Sequence, residues 1–321
     1  MVDLAPPVAG QVLSMGEILI DFIVTDGATM LGSAETFVAR SGGAPANVSV
    51  ALARLGIPSA FCGVAGDDPF GSRLHIELTS EGVDTSRLRR TGDDATTLAY
   101  AWKDARGDGH FWLLRGADSR LDVSDADSAG IANLAALVVG SVSLSTQPSR
   151  RAIERAVDLA TQSDVPVVFD VNLRPSLWPN LAFARTLCQA VASKSHVVKL
   201  SLDDAIGLFG AGITPDTAIE AILALGPQSV VLTDGERGSW FSCGSNVTFV
   251  PAFAVAAIEP TGAGDAFCAA VVVQSLTSDW APLTADNVRY AAAAGALATT
   301  RRGAWDGLPD RAQLDSFLAR A

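Results

Sequence analysis

The chain has 321 residues, 49% of them hydrophobic, so it can bury one large α/β core or two smaller ones. Its formal net charge of −12 argues against nucleic acid or an anionic membrane as a partner. No apolar run reaches membrane-spanning length, and the acidic, proline-broken start from Met1 to Pro7 is unlike a signal peptide. The four cysteines are far apart and lack metal-ligand spacing, which predicts free thiols in a reducing, cytoplasmic compartment.

The amino-terminal part predicts strands around two polar positions. Asp21 interrupts an apolar run from Ile18 to Val24, and it can either face solvent on an edge strand or hydrogen-bond a polar ligand. Gly42 and Gly43 follow the next strand and open a helix through Leu55. Asn47 lies in the first turn of this Ala/Val-rich helix, where its amide calls for a polar partner.

A hairpin is predicted for residues 97–115, because two alternating segments flank the polar turn at residues 104–109. With the strands near residues 17–41 it forms a small sheet that we interpret as a lid. Arg115 and Asp118 follow directly, where they suit a polyol ligand or form a surface ion pair. The exposed edges of such a sheet need covering, which predicts a homodimer through the lid.

From about residue 124 apolar strands alternate with amphipathic helices, which predicts a parallel sheet covered on both faces. Ligands of such sheets collect at the carboxyl ends of the strands. That rule selects three polar groups: Asp170 with Asn172 and Arg174; Lys199 with Ser201 and Asp204; and Thr233 with Gly235.

The most informative stretch is Glu259-Pro260-Thr261-Gly262-Ala263-Gly264-Asp265, which runs into an apolar helix. Its glycines and the helix start aim backbone N–H groups at one point, which suits a phosphate. Asp265 there is either an ordinary acidic residue of a first helical turn or a base that accepts the proton of an attacking hydroxyl. The chain has no Gly-Lys pair and therefore no P-loop, and Phe267 replaces the third glycine of a dinucleotide fingerprint.

These motifs resemble the ribokinase-like (PfkB) carbohydrate kinases over nearly the whole chain. The amino-terminal signature of that family is similar to Gly42-Gly43-Ala44-Pro45-Ala46-Asn47, and its carboxy-terminal signature to Thr261-Gly262-Ala263-Gly264-Asp265-Ala266-Phe267. The resemblance implies one domain over residues 1–321, with a Rossmann-like three-layer α/β/α core and a small β-sheet lid. It also implies ATP-dependent phosphorylation of a sugar hydroxyl, with Mg²⁺ as cofactor.

The resemblance assigns roles to the candidate residues. The catalytic group is Asp265 as the base, Gly262, Ala263 and Gly264 as the anion hole, and Arg174. The sugar-binding group is Asp21, Gly42, Gly43, Asn47, Arg115 and Asn172. The nucleotide group is Lys199, Ser201, Thr233, Gly235, Gly238, Gly262 and Gly264.

Three departures from the family pattern affect the metals and the nucleotide. Glu259-Pro260 replaces Asp-Thr, so Glu259 is a candidate ligand for K⁺ but potassium dependence is an open question. Ser201 to Asp204 replaces an Asn-x-x-Glu motif, which leaves Asp204 as the candidate for Mg²⁺. Asp234 adds a negative charge beside the nucleotide loop.

The run from Asp170 to Pro175 and the lid exit at Arg115 look most like bacterial fructokinases. Kinases of 2-keto-3-deoxygluconate usually carry a tyrosine where this chain has Leu113, which favours an uncharged sugar. A kinase for a keto-deoxy sugar acid or a nucleoside is the alternative within the same fold. A sugar-binding protein that has lost catalysis is the alternative from another class.

Overall fold

The computed structural model describes residues 10–106, 109–244 and 246–320. The stretch from Met1 to Pro7, interpreted above as unlike a signal peptide, lies outside the described residues. So do residues 107 and 108 of the predicted hairpin turn.

The strands are short, and α-helices lie between half of the consecutive strands. They are β1 (Val12–Met15), β2 (Leu19–Val24), β3 (Phe37–Gly42), β4 (Ser59–Gly66), β5 (Asp84–Thr91), β6 (Leu98–Lys103), β7 (Gly109–Leu114), β8 (Ala136–Gly140), β9 (Val167–Asp170), β10 (Val197–Ser201), β11 (Ser229–Thr233), β12 (Ser239–Ser242) and β13 (Thr248–Val250).

The helices are α1 (Ala44–Arg54), α2 (Pro69–Ser80), α3 (Val123–Ser128), α4 (Ser149–Gln162), α5 (Leu181–Ala192), α6 (Leu202–Phe209), α7 (Pro215–Leu223), α8 (Ala263–Thr277), α9 (Ala285–Ala298), α10 (Ala304–Gly307) and α11 (Arg311–Leu318). No helix among the described residues combines the length and apolar character needed to cross a bilayer.

The large sheet has nine strands in the order β13-β12-β11-β10-β9-β8-β1-β4-β5. The strands from β11 to β5 in this order are all parallel, and β12 and β13 add an antiparallel edge. Strands such as β8 are buried along their whole length, which explains their continuous apolar sequence. The predicted parallel sheet is therefore confirmed.

Helices cover both faces of this sheet. One apolar core includes buried residues of α1, α8 and α9, and the other includes buried residues of α4, α5 and α7. Helix α8 is apolar on nearly all sides and has ten buried residues, because it packs between α1 and α9. The result is the predicted three-layer α/β/α core.

The small sheet has four strands in the order β3-β2-β6-β7. The chain leaves the large sheet after β1, forms β2 and β3, and returns to it through Gly43 into α1. A second excursion after β5 adds β6 and β7. Because these excursions start at the carboxyl ends of β1 and β5, the small sheet lies over that edge of the large sheet and leaves a cleft between them.

Candidate active site

The cleft between the small sheet and the strand ends encloses about 240 Å³. Its lining combines carboxylates, cations, glycines and a few apolar side chains from both sheets. The lining residues are Glu17, Leu19, Asp21, Gly43, Ala44, Asn47, Ala99, Phe111, Leu113, Val142, Asn172, Arg174, Lys199, Pro260, Thr261, Gly262, Gly264 and Asp265.

Helix α8 points its amino terminus at this cleft. Gly262 is the N-cap residue, with φ 83°, and a Cβ there would lie 3.0 Å from the Cα of Ala304, so this turn requires glycine. The first N–H groups of a helix have no carbonyl partner within it. The N–H of Ala263, however, donates to the carbonyl of Pro260 at 3.1 Å, so this predicted anion-hole donor is already engaged.

Asp265 lies in the first turn of α8 and is buried. Its Oδ2 accepts a hydrogen bond from Nδ2 of Asn47 at 2.7 Å. Burial raises the pKa of Asp265, while the Asn47 hydrogen bond and the charges of Lys199 and Arg174 oppose the rise. The polar partner that the sequence predicts for Asn47 is therefore the candidate base, Asp265.

The small sheet contributes Asp21, which is only 8% exposed and does not face solvent. Gly42, on the neighbouring strand β3, has no room for a side chain, since a Cβ would lie 2.1 Å from Oδ2 of Asp21. Burial raises the pKa of Asp21 to about 7, despite the attraction of Arg174. Of the two readings left open for Asp21, the structure favours the ligand-binding carboxylate.

Glu17 is a cleft residue that the sequence analysis missed. It is 3% exposed, and its Oε2 accepts a long hydrogen bond from Oγ of Ser143 at 3.4 Å. Burial raises its pKa to about 7, although Arg115 and Arg174 attract the charged form. The only signal in the sequence was an acid between Gly16 and an apolar strand.

Arg115 forms an ion pair with Asp118 at 2.7 Å, one of the two alternatives stated above, but Asp118 is fully buried and the Arg115 side chain is only 14% exposed, so the pair is not a surface one. The guanidinium also donates to the carbonyl of Val142 and to Oγ of Ser145, both at 3.1 Å. Arg115 is not among the residues that line the cleft. It lies behind the wall, near Glu17.

Arg174 is the cation that faces the cleft from the loop after β9. Its guanidinium lies 5.8 Å from the ring centroid of Phe111, so it connects the core with the small sheet. Asn172, two residues before Arg174, has φ 40°, a left-handed conformation that turns the chain towards the cleft. Asp204 stabilises this loop, because its Oδ1 accepts a hydrogen bond from the Leu173 N–H at 2.7 Å.

The other oxygen of Asp204 accepts from the N–H of Ser201 at 2.7 Å, and Oγ of Ser201 accepts from the N–H of Asp204 at 3.0 Å. This is a capping box at the start of α6. Both carboxylate oxygens are thus held by backbone donors, which does not fit direct coordination of Mg²⁺ by Asp204. No group of three or more His, Cys, Asp or Glu side chains suited to a metal occurs among the described residues.

Lys199 and Asp170 form a buried ion pair on neighbouring strands, with Nζ to Oδ1 at 3.1 Å. Burial alone would lower the pKa of Lys199, but the charge of Asp170 outweighs it and the pKa is raised. A Cβ on Gly264 would lie 2.9 Å from this Nζ. A fixed positive charge therefore lies directly below the first turn of α8.

The remaining nucleotide candidates lie beside the cleft, at the ends of β10 and β11, where Ser201 pairs with Thr233. Gly235 and Gly238 flank the short turn that leads into β12. The extra charge of Asp234 is paired there, because its carboxylate accepts two hydrogen bonds of 2.6 Å from Arg237. Glu259, the candidate for K⁺, accepts a hydrogen bond from the Gly303 N–H at 3.3 Å.

Known proteins resemble this chain along nearly its whole length. The profile described as pfkB family carbohydrate kinase matches residues 9–311. Fructokinase-1 of Zea mays is 33% identical over 317 residues, which cover 97% of this chain and 98% of the maize protein.

Two solved structures share the architecture. The fructokinase of Xylella fastidiosa with bound ATP has a TM-score of 0.86 at 28% identity and covers 97% of this chain and 98% of its own. A fructokinase double mutant from Vibrio cholerae O395, with fructose, ADP and potassium ion bound, has a TM-score of 0.85 at 31% identity and covers 98% of this chain and 99% of its own.

Proposed function

Since the chain belongs to the pfkB family of carbohydrate kinases, we propose that it transfers the γ-phosphoryl group of ATP to a hydroxyl of fructose. The likeness to solved fructokinases confirms the ribokinase-like fold with its smaller second sheet. The observation that carries the proposed reaction is the buried carboxylate of Asp265 in the first turn of α8, at a cleft lined from both sheets.

In the proposed reaction Asp265 accepts the proton of the sugar hydroxyl as its oxygen attacks the γ-phosphorus. The new O–P bond forms while the bond between the γ-phosphorus and the β,γ-bridging oxygen breaks, and ADP leaves. The N–H groups at the start of α8, from Gly262 and Gly264, stabilise the charge on the transferred group. Arg174 and the ammonium of Lys199 add positive charge on the same side.

The sugar site is proposed to lie against β2 and α1. The carboxylate of Asp21 accepts hydrogen bonds from sugar hydroxyls, and Gly42 and Gly43 let the sugar approach the backbone. Asn47 and Asn172 supply amide groups on the core side. Arg115 acts indirectly in this arrangement, because its donors are directed at Asp118, Val142 and Ser145.

Fructose is favoured over a sugar acid by the lining of the cleft. Leu113 adds no hydrogen-bond donor at the position where the resemblance places a tyrosine in keto-deoxygluconate kinases. Glu17 and Asp21 bring carboxyl groups to the same wall, where a carboxylate substrate meets like charge once they ionise. The fructokinase names of the relatives point the same way.

The nucleotide is proposed to lie over Ser201, Thr233, Gly235 and Gly238, with its phosphates directed at α8. Mg²⁺ enters with the substrate as MgATP, held by the phosphates and water, since Mg²⁺ keeps several waters and needs few protein carboxylates. Glu259 stays the candidate for K⁺, and comparing the rates in KCl and NaCl at equal ionic strength tests it.

ADP release measured with fructose, 2-keto-3-deoxygluconate and a nucleoside panel tests the proposal. The expected result is a kcat/KM for fructose at least tenfold above that for any other substrate. If fructose and ATP both bind by calorimetry but no ADP forms with Mg²⁺ and K⁺ present, the protein is a sugar-binding protein without catalysis. If another substrate leads, the kinase assignment stands and fructose is wrong.

We also propose a homodimer through the small sheet and a cytoplasmic location. The face of this sheet that points away from Asp21 carries Tyr100 stacked on Trp112 at 5.6 Å, with Trp112 52% and Leu114 51% exposed. Such an aromatic patch on a sheet with open edges favours burial against a second copy. Sedimentation at micromolar concentration is expected to give the dimer mass, and a monomer would refute this.

A further inference from the structure

The segment from Gly303 to Trp305, which opens α10, contacts the site from two sides. Ala304 lies so close to Gly262 that a Cβ on the glycine would be 3.0 Å from its Cα. The side chain of Trp305 is 7% exposed, and its Nε1 donates to Oδ1 of Asn47 at 2.7 Å. One segment therefore touches both the cap of α8 and the partner of Asp265.

The two neighbours of Asn47 impose one orientation on its amide. An indole N–H can only donate, so the amide oxygen must face Trp305. An ionised carboxylate can only accept, so the amide nitrogen must face Asp265, as the 2.7 Å contact shows. If the indole donor is lost, Asp265 alone orients the amide. The flipped amide, whose oxygen accepts a hydrogen bond from the carboxyl group, then becomes accessible when Asp265 is protonated, and this favours the protonated form.

The position of Trp305 is itself fixed by α1, the helix that carries Asn47. Nη1 of Arg54, at the end of α1, donates to the carbonyls of Trp305 at 2.7 Å and Leu308 at 2.8 Å. The same guanidinium is held by Glu81 through two hydrogen bonds of 2.7 Å. Backbone and side chain of Trp305 are thus tied to the two ends of one helix.

On the basis of the proposed phosphoryl transfer, we propose that Trp305 is a positioning residue for the base Asp265, acting through Asn47. The chain of donors from Trp305 to Asn47 to Oδ2 of Asp265 holds the carboxylate with its other oxygen available to the sugar hydroxyl. Trp305 makes no contact with the reacting atoms in this arrangement.

The ionisation of Asp265 reports on this chain of hydrogen bonds. The Asn47 hydrogen bond lowers the pKa of Asp265 against the rise caused by burial. Loss of the amide orientation is therefore expected to raise that pKa. The other titratable or charged groups near Asp265 are Lys199, Arg174, Asp170, Asp21 and Cys268. The indole of Trp305 donates its hydrogen bond to Asn47 and not to any of these groups.

The test compares Trp305→Phe with Trp178→Phe. Trp178 is also 7% exposed and packs against Phe183, but its Nε1 has no hydrogen-bond partner among the described residues. Both changes remove an indole N–H from a buried ring, so packing losses are matched. Thermal melts of both variants establish that they are folded.

Trp305→Phe is expected to lower kcat about three- to tenfold, the range for one neutral hydrogen bond. The acid limb of its kcat–pH profile should move to higher pH, with the KM for ATP unchanged, and Trp178→Phe should keep the wild-type profile. In an Asn47→Ala background Trp305→Phe should add no further loss. A Trp305→Phe profile that superimposes on the wild type, or a shift of equal size in Trp178→Phe, overturns the proposal.

A second readout does not depend on catalysis. The chain has six tryptophans, so the indole N–H signal that disappears in Trp305→Phe identifies Trp305 in a ¹⁵N spectrum. This signal should titrate with Asp265 in the wild type and stop doing so in Asp265→Asn. A signal that is insensitive to pH in the wild type refutes the inference even if the kinase is active. If no sugar is phosphorylated but the signal titrates as expected, the proposed function fails and the hydrogen-bond chain stands.

Discussion

Replacing Asp21 by Asn is predicted to make the sugar-free protein more stable than the wild type, by a margin that grows as the pH rises. In the folded protein burial raises the pKa of Asp21 from 3.8 to about 7. Between these values the unfolded chain has lost the proton that the folded chain keeps, so the wild type loses stability as the pH rises from about 4 to about 7. Asn cannot ionise and therefore avoids this loss.

The size of the effect follows from the shift. One pKa unit corresponds to about 1.4 kcal/mol, so the rise of roughly three units gives the variant an advantage of about 4 kcal/mol at pH 8. At pH 5 only the interval from the unfolded pKa of 3.8 up to pH 5 has contributed, and the advantage is about 2 kcal/mol. For a chain of this size 4 kcal/mol corresponds to roughly 6 °C in Tm.

The assay is thermal unfolding of both proteins without sugar at pH 5 and pH 8, with calorimetric titration of fructose into each. The Tm of the variant should exceed that of the wild type, by more at pH 8 than at pH 5, and the variant should bind fructose at least tenfold more weakly.

Asp68→Asn serves as the control of opposite sign. Burial opposes its charge, but hydrogen bonds from the Thr96 and Gly71 N–H groups hold the pKa of Asp68 below its usual value, so this variant should lose stability above pH 4. An Asp21→Asn gain of equal size at both pH values would refute the reasoning.

Asp265→Asn is expected to lower kcat by about two to four orders of magnitude in the ADP-release assay, because it removes the proposed base. An unchanged kcat would refute the proposed mechanism. Gly262→Ala should lower kcat roughly 100-fold and cost about 1–2 kcal/mol of stability, since φ 83° and a close backbone neighbour leave no room for a side chain. Gly56→Ala, with φ 84° and nothing within 4 Å, should reproduce the stability loss in a melt but not the loss of activity. Lys199→Met leaves Asp170 buried without its partner, so it should lower the free energy of unfolding by about 3–5 kcal/mol at pH 8. The loss should be smaller at pH 5.5, because Asp170 can take up a proton there. A loss of stability that does not change with pH would contradict the pairing.

Local sequence located much of the candidate site. The run Gly262-Ala263-Gly264-Asp265 and the pair Gly42-Gly43 are readable because a tight turn and a helix start depend on neighbouring residues alone. The strand-end rule likewise found Lys199 and Arg174, because the carboxyl ends of parallel strands share one edge.

Other residues could not be placed from the sequence, because their environment comes from distant parts of the chain. Trp305 bonds Asn47 across 258 positions, and Asn47 bonds Asp265 across 218. Glu17 looks like any acid beside a glycine until the core closes around it. Asp204 shows the reverse case, since a residue proposed for a metal proves to cap a helix and hold the loop after β9.

The sequence by itself determined the alternation of strands and helices from about residue 124, the two glycine turns and the acid beside the second of them, because these depend on periodicity and local backbone freedom. The tertiary structure decided which charges lose their water. Burial between the two sheets gives Asp21 and Glu17 pKa values of about 7, pairs Lys199 with Asp170, and turns the Asn47 amide towards Asp265. Desolvation and hydrogen-bond direction depend on where distant segments meet, and no local pattern of residues encodes them.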